Sequence, residues 1–184
     1  MRKAVRIALG QKEERLPDIL YNPSVREAVE VFGEWKDGFA CDIETPSLQD
    51  HRMLSVAVSG EIDRAMVWDL RDSKSRRLMG PLRKYLQAVS PRRIVFQNGE
   101  FDIPILQKHG YKVNLDVCWD TMVENQILWP DEPVNLSFLG SMHTDMEAWK
   151  HLRGSRLLFY NALDANVDWK VYVGSDEHYE EYDE

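Results

Sequence analysis

The chain has 184 residues, 43% of them hydrophobic and 29% charged, with a formal net charge of −8. That length holds one domain with a substantial core and is short for two; the basic start "MRKAVRIALGQKEERLPDIL" has too short an apolar run for a signal peptide, and no window approaches a membrane span. The acidic balance argues at first against a nucleic-acid partner. However, six of the 31 acids fall in the last nine residues, "DEHYEEYDE", read as a frayed, solvated end, so the body carries 25 acids against 23 bases.

In chain order, "SVREAVEVFGEW" opens with a capping box, Ser24 to Glu27, and spaces Val25, Ala28, Val29 and Phe32 for a helix. Three runs of strand character follow, "GFACDI", "MLSVAVS" and "RAMVWDL", separated by gaps that suit an antiparallel meander. "SKSRRLMGPLRKYLQAV" predicts a helix with a Gly-Pro interruption. "RRIVFQN" predicts a strand leading into "GEFDIPILQKHG", a helix stopped by Gly110, and "YKVNLDVCW" a further strand. From Asp120 onward the pattern is helical in pieces, Asp120 itself reading as a helix cap. Together these predict one mixed α/β sheet of five strands, three antiparallel and then a parallel βαβ unit, flanked by helices. Cys41 and Cys118 sit in strand-like runs without metal-ligand spacing, which predicts core thiols in a reducing, cytoplasmic compartment.

Three stretches carry chemistry. In "FACDIETPSL" the strand period of two sends Asp42 and Glu44 from the same face, roughly 7 Å apart along the backbone. Like charges so placed need compensation by a divalent cation, or the strand ends at Asp42 and both acids are solvated. In "VFQNGEFDIPIL", Asn98 ends a strand and Asp102 lies in the first turn of the next helix, at the carboxyl-end crevice where ligands bind in parallel sheets. There the helix dipole alone would also favour an acid. In "LLFYNALDANVDWKVY", Tyr160 and Asp164 share a helix face among apolar neighbours, where a carboxylate is costly unless paired or metal-bound. Asp168 continues the spacing at a position read as already exposed.

In the order Asp-x-Glu, Asn-x-x-Phe-Asp, Tyr-x-x-x-Asp, these stretches resemble the three exonuclease motifs of the DEDD superfamily, tyrosine subclass. That superfamily includes the proofreading domain of family A DNA polymerases and the RNase D group. The resemblance spans Phe39 to Tyr172. It implies a ribonuclease H-like fold and a single domain over 1–184, with an N-terminal extension and helix to residue 37, a catalytic core over 38–174 and an acidic tail from 175. Asp42, Glu44, Asp102 and Asp164 match the four metal-binding carboxylates, and Tyr160 matches the tyrosine that positions the attacking water. Thr45, Leu48, Asn98 and Phe101 match residues that touch the terminal nucleotide, with Leu48 as a wedge.

The implied activity is 3′-5′ hydrolysis with two Mg²⁺ or Mn²⁺ ions, releasing nucleoside 5′-monophosphates from single-stranded or frayed DNA 3′ ends. RNA is the alternative substrate of an RNase D-like enzyme. A different class stays open: a non-catalytic binding module on the same scaffold, using the acidic tail or the Trp-rich surface. With four acids assigned to metal, the body's balance becomes 23 bases against 21 acids, which admits a phosphate ligand. Departures are Pro46, where many relatives carry a polar residue, and the lack of a polymerase domain after Tyr172. A stand-alone exonuclease, a polymerase's proofreading subunit acting in trans and an excised domain are all expected forms, as is a viral version in a host cytoplasm.

Overall fold

The computed structural model describes residues 16–89, 92–146 and 148–182. Most of the N-terminal extension, residues 1–15, and the acidic side chains from 176 onward lie outside the described residues. The elements are β1 (Asp18–Tyr21), α1 (Val25–Glu34), β2 (Gly38–Glu44), β3 (Ser55–Glu61), β4 (Arg64–Asp69), α2 (Ser73–Arg77), α3 (Gly80–Tyr85) and β5 (Arg93–Phe96). Then come α4 (Gly99–Lys108), β6 (Cys118–Asp120), α5 (Thr121–Leu128), α6 (Leu136–His143) and α7 (Leu157–Tyr182), with single 3₁₀ turns at Leu115–Val117 and Lys150–Leu152.

The sheet has six strands in the order β1-β4-β3-β2-β5-β6. The three-strand meander is antiparallel, and β5 and β6 join it in parallel. The sixth strand is β1, which pairs in parallel with β4 at the edge opposite β6. The expected last strand is short: the chain turns through Leu115–Val117 before three residues pair with β5.

Local chemistry explains the helices. Ser24 Oγ accepts from the Glu27 N–H while Glu27 accepts from the Ser24 N–H, the two halves of the capping box that starts α1. The Gly-Pro step splits the next helix into α2 and α3, with Pro81 in the first turn of α3, where its missing N–H costs nothing. Gly110, with φ of +80°, ends the turn after α4.

Side chains on β2 alternate between two layers. Phe39, Cys41 and Ile43 enter the main core under α1 to α4, while Ala40 faces Trp169 of α7 on the opposite side. Against that second face α7 lays Ala162 and Ala165 onto Ala57, Ala65 and Val67, so a long helix sits close on the sheet because both surfaces are small. The helix continues to Tyr182, through the segment expected to fray.

Candidate active site

Asp42 and Glu44 leave the α7 face of β2, opposite Ala57 and Ser55 of β3, small residues that leave room for carboxylates. Asp164 comes down from α7, and one oxygen from each of Asp42, Glu44 and Asp164 lies within 4.8 Å of the other two. Glu44 and Asp164 are buried, and Asp42 is half-buried.

Asp102 reaches the crevice differently. Pairing between β2 and β5 is recorded only as far as Ala40 and Val95, beyond which the chain leaves β5 for α4. There the Ile43 N–H donates to Asp102 Oδ1 at 3.3 Å, so the carboxylate supplies an acceptor to the strand. Asp102 is buried beside the site but outside the tight cluster of three.

Electrostatics reflect the crowding. Burial pushes the Asp42 carboxyl well above the usual carboxylate range, and the charges of Asp164, Asp102 and Glu44 push it further. Burial also raises Asp102 well above that range, against the opposing pull of the Ile43 hydrogen bond. Glu44 is raised by burial, in part offset by Arg153. The Tyr160 phenol is driven upward by burial and by Asp164, so it stays protonated at neutral pH.

Sequence reasoning did not find the two cations in this crevice. Lys150 Nζ donates to both Asp164 oxygens, at 2.8 and 2.9 Å, and to the Tyr160 hydroxyl at 3.2 Å. Arg153 bonds Glu44 Oε2 through Nη2 at 3.0 Å and Nε at 3.2 Å. Both belong to the segment around the 3₁₀ turn at Lys150–Leu152, whose contacts with the acids are made by the tertiary fold and leave no pattern in the local sequence. Trp149 Nε1 also donates to Asp164, and Asn161 Nδ2 donates to Asp42. The acids have therefore drawn in cations and hydrogen-bond donors, and a set of hard oxygen donors with this attraction for positive charge fits a divalent ion.

The residues matched to nucleotide contacts surround the crevice. Leu48 is 72% exposed. Phe101 is half-buried on the main core, edge-on to the His51 ring with centroids 6.4 Å apart. Thr45 is buried, its hydroxyl donating to the Ser47 carbonyl at 3.0 Å. Asn98 has φ of +67°, a left-handed conformation that Asn tolerates. Its N–H and that of Gly99 donate to the two oxygens of Asp120, which also accepts from the N–H groups of Met122 and Val123. The expected helix cap thus holds two helix starts together.

Asp168 corrects the sequence reading. It is 2% exposed, accepts from the Thr121 hydroxyl, and is pushed up to about 8 by burial despite that hydrogen bond. The reason is that every residue of α7 from Tyr160 to Val171 is buried, so the helix has no solvent side there.

A family model, the 3′-5′ exonuclease of the DNA polymerase A type, matches residues 23–157. The matched range holds Asp42, Glu44 and Asp102 and stops short of Tyr160 and Asp164, which the fold itself brings to the same crevice. No curated protein matches the chain at a significant level. Among solved structures, the EXO domain of Aedes aegypti Nibbler is 14% identical, covering 93% of this chain and 94% of that one, with a TM-score of 0.71. Brucella melitensis NrnC with bound Mg²⁺ is 18% identical over 91% of this chain and 83% of its own, at 0.68. Escherichia coli RNase D, described as an exoribonuclease involved in structured RNA processing, is 11% identical over 89% of this chain, which spans 46% of its length, at 0.61. At these identities the likeness concerns the fold, an α/β sheet flanked by helices of the ribonuclease H-like kind. Among the described residues no helix is long and apolar enough to cross a membrane.

Proposed function

The chain belongs to the 3′-5′ exonuclease family of the DNA polymerase A type, and from that premise we propose that it is a two-metal exonuclease acting on unpaired 3′ ends. The observation that carries this reading is the convergence of Asp42, Glu44 and Asp164 within 4.8 Å, with Asp102 beside them. These four carboxylates would hold the ions, and Mg²⁺ or Mn²⁺ bound there would supply the charge that activates a water and steadies the leaving 3′ oxygen.

The remaining steps belong to the chain's own side chains. Tyr160 keeps its proton and orients the attacking water by hydrogen bonding, since a phenol raised above its ordinary value is a poor base at neutral pH. Leu48, exposed at the rim, stacks against the terminal base, and Phe101 supports the nucleotide from its anchored place on the core. Such a clamp takes a base out of its stack, which costs least at a frayed end. Asp120 fixes the Asn98–Gly99 turn and with it the direction of Asp102. The single-domain division into extension, core over 38–174 and tail belongs to the same proposal.

DNA is the first substrate under this reading, following the family, and RNA the second, following the exoribonuclease named among the structural neighbours. Matched 5′-labelled DNA and RNA strands with Mn²⁺ would separate the two, and a circular single strand tests directionality. A descending ladder on linear strands, with the circle intact, is expected. Rapid cutting of the circle would refute exonuclease action, and strand binding without cleavage would leave a binding module.

A further inference from the structure

The stretch from Ser73 to Gly99 contains seven Lys and Arg residues and no acid, in a chain whose net charge is −8. The fold gathers part of this excess around one cavity of about 840 Å³, lined by Lys36, Arg83, Lys84 and Arg92, with Tyr85 and the apolar Val89 between them. A space of that size accommodates a nucleotide-sized ligand.

Arg26, Arg52, Arg64 and Arg71 each pair with a nearby carboxylate. Among the described residues, the four cavity cations form no such pair. Instead the Arg83 guanidinium donates to the Gly110 carbonyl at 2.9 Å and lies 4.3 Å from the Tyr111 ring centre. Lys84 and Arg92 lie over the Tyr85 ring, at 5.9 and 5.4 Å. Tyr85 is itself stacked on the buried Phe32, with ring centres 4.3 Å apart. The cations are thus held in place by carbonyls and rings while their charge stays uncompensated, which suits the recognition of phosphate.

The site is remote from the acidic crevice. Lys36 precedes β2 and Arg92 precedes β5, whereas Asp42 and Glu44 lie toward the far end of β2, roughly 13 and 20 Å from Gly38 at about 3.3 Å per residue. The cavity also opens along α3, beside the loop that follows α1, on the sheet face away from α7. A terminal nucleotide seated at Asp164 does not reach it.

We propose that this cavity is a second nucleic-acid contact, binding the phosphodiester backbone of a long strand well away from its 3′ end. The proposal rests on the exonuclease reading for its choice of polyanion. Cations contributed by three separate segments of the chain favour a repeating chain of phosphates over one small anion, because a polyanion engages them together. The consequence for substrate class is that long strands gain affinity and very short ones do not.

The test is binding in EDTA, where the acidic crevice repels nucleic acid and no cleavage occurs. A fluorescent single-stranded 30-mer is titrated with wild type and with Lys84→Gln/Arg92→Gln, both checked by thermal melting; Lys36→Gln in place of Arg92→Gln serves if the first pair melts early. Wild type should bind. The double variant should bind roughly tenfold more weakly, and its slope of log affinity against log salt should shrink by about 1.4, at about 0.7 per phosphate contact on a single strand. With Mn²⁺, cleavage of the 30-mer should slow while that of a dinucleotide stays unchanged. Equal binding by wild type and variant, or none by wild type, overturns the proposal. Displacement of the 30-mer by a nucleoside monophosphate at equal phosphate concentration would assign the cavity to free nucleotides, and binding that appears only on removal of residues 176–184 would assign it to the chain's own acidic end; both outcomes overturn it too. Loss of EDTA binding in the variant, with no cleavage by either protein, would uphold this surface and refute the exonuclease reading alone.

Discussion

Lys150→Met removes the ammonium from the acidic crevice while keeping an unbranched side chain of similar bulk. In wild type that ammonium bonds both oxygens of Asp164, a side chain only 5% exposed, while Lys150 itself is 38% exposed. Breaking one side of a buried pair costs about 3–5 kcal/mol and of an exposed pair about 0–1 kcal/mol. With one partner buried and the other more than a third open to solvent, about 2 kcal/mol is expected, since Trp149 still donates to Asp164. For a chain of this length that is a fall of about 4–8 °C in Tm, measured in EDTA. Mn²⁺ should reverse the order of gains. Wild type must give up the Lys150 contact to bind an ion at Asp164, whereas the variant has nothing to displace, so its Tm should rise by more. A hundredfold excess over Kd is worth about 2.7 kcal/mol in either protein, so the comparison is made at equal Mn²⁺ and read by circular dichroism. If the variant melts with wild type in EDTA and gains no more from Mn²⁺, Lys150 does not neutralise the crevice.

Asp42→Asn and Asp164→Asn should each abolish metal-dependent cleavage, as should EDTA, and activity surviving both treatments would refute the two-metal site. Tyr160→Phe should slow cleavage by roughly 10²- to 10⁴-fold, the range for one positioned proton-handling group, with Mn²⁺ affinity by calorimetry unchanged; an unaffected rate makes Tyr160 a packing residue. Asp102→Asn should melt above wild type in EDTA at pH 8, because the amide removes a buried charge yet still accepts from Ile43. For Asp168 the folded value is raised from 3.8 to about 8. Its contribution to stability is therefore complete below pH ~4 and is lost as pH rises through about 8, at up to about 1.4 kcal/mol per pH unit. Urea denaturation across that window should show a smaller fall for Asp168→Asn, and an identical profile would mean that Asp168 is ionised in the fold.

The parts of the site legible in the sequence are those written in short-range periodicity. Alternation along β2 placed Asp42 and Glu44 on one face, the strand-to-helix step placed Asp102, and helical spacing placed Tyr160 beside Asp164. The edge strand β1 was not legible, because Asp18–Tyr21 has only four residues, half of them exposed, and pairs with Arg64–Val67 far along the chain. Asp168 was misread because amphipathic periodicity assumes a solvent side, which α7 lacks between the sheet, α5 and α6. Lys150, Arg153 and Asn161 were invisible for another reason: each meets its acid through a contact of tertiary origin, and only for Lys150 and its Asp164 is the partner within 15 residues.

The bond from the Ile43 N–H to Asp102 makes one acid part of the sheet as well as of the crevice. Among the described residues, Asp42, Glu44 and Asp164 accept from side chains and from no backbone N–H, so a descendant freed from selection for catalysis could replace each of them together with its side-chain donors. Position 102 is constrained even then. Asn preserves the acceptor, whereas an apolar residue leaves a buried N–H unpaired at about 1–3 kcal/mol. Decay of this enzyme would therefore be recorded unevenly, with the first and third motifs drifting along with their side-chain donors and the second pausing at asparagine, inactive yet still folded.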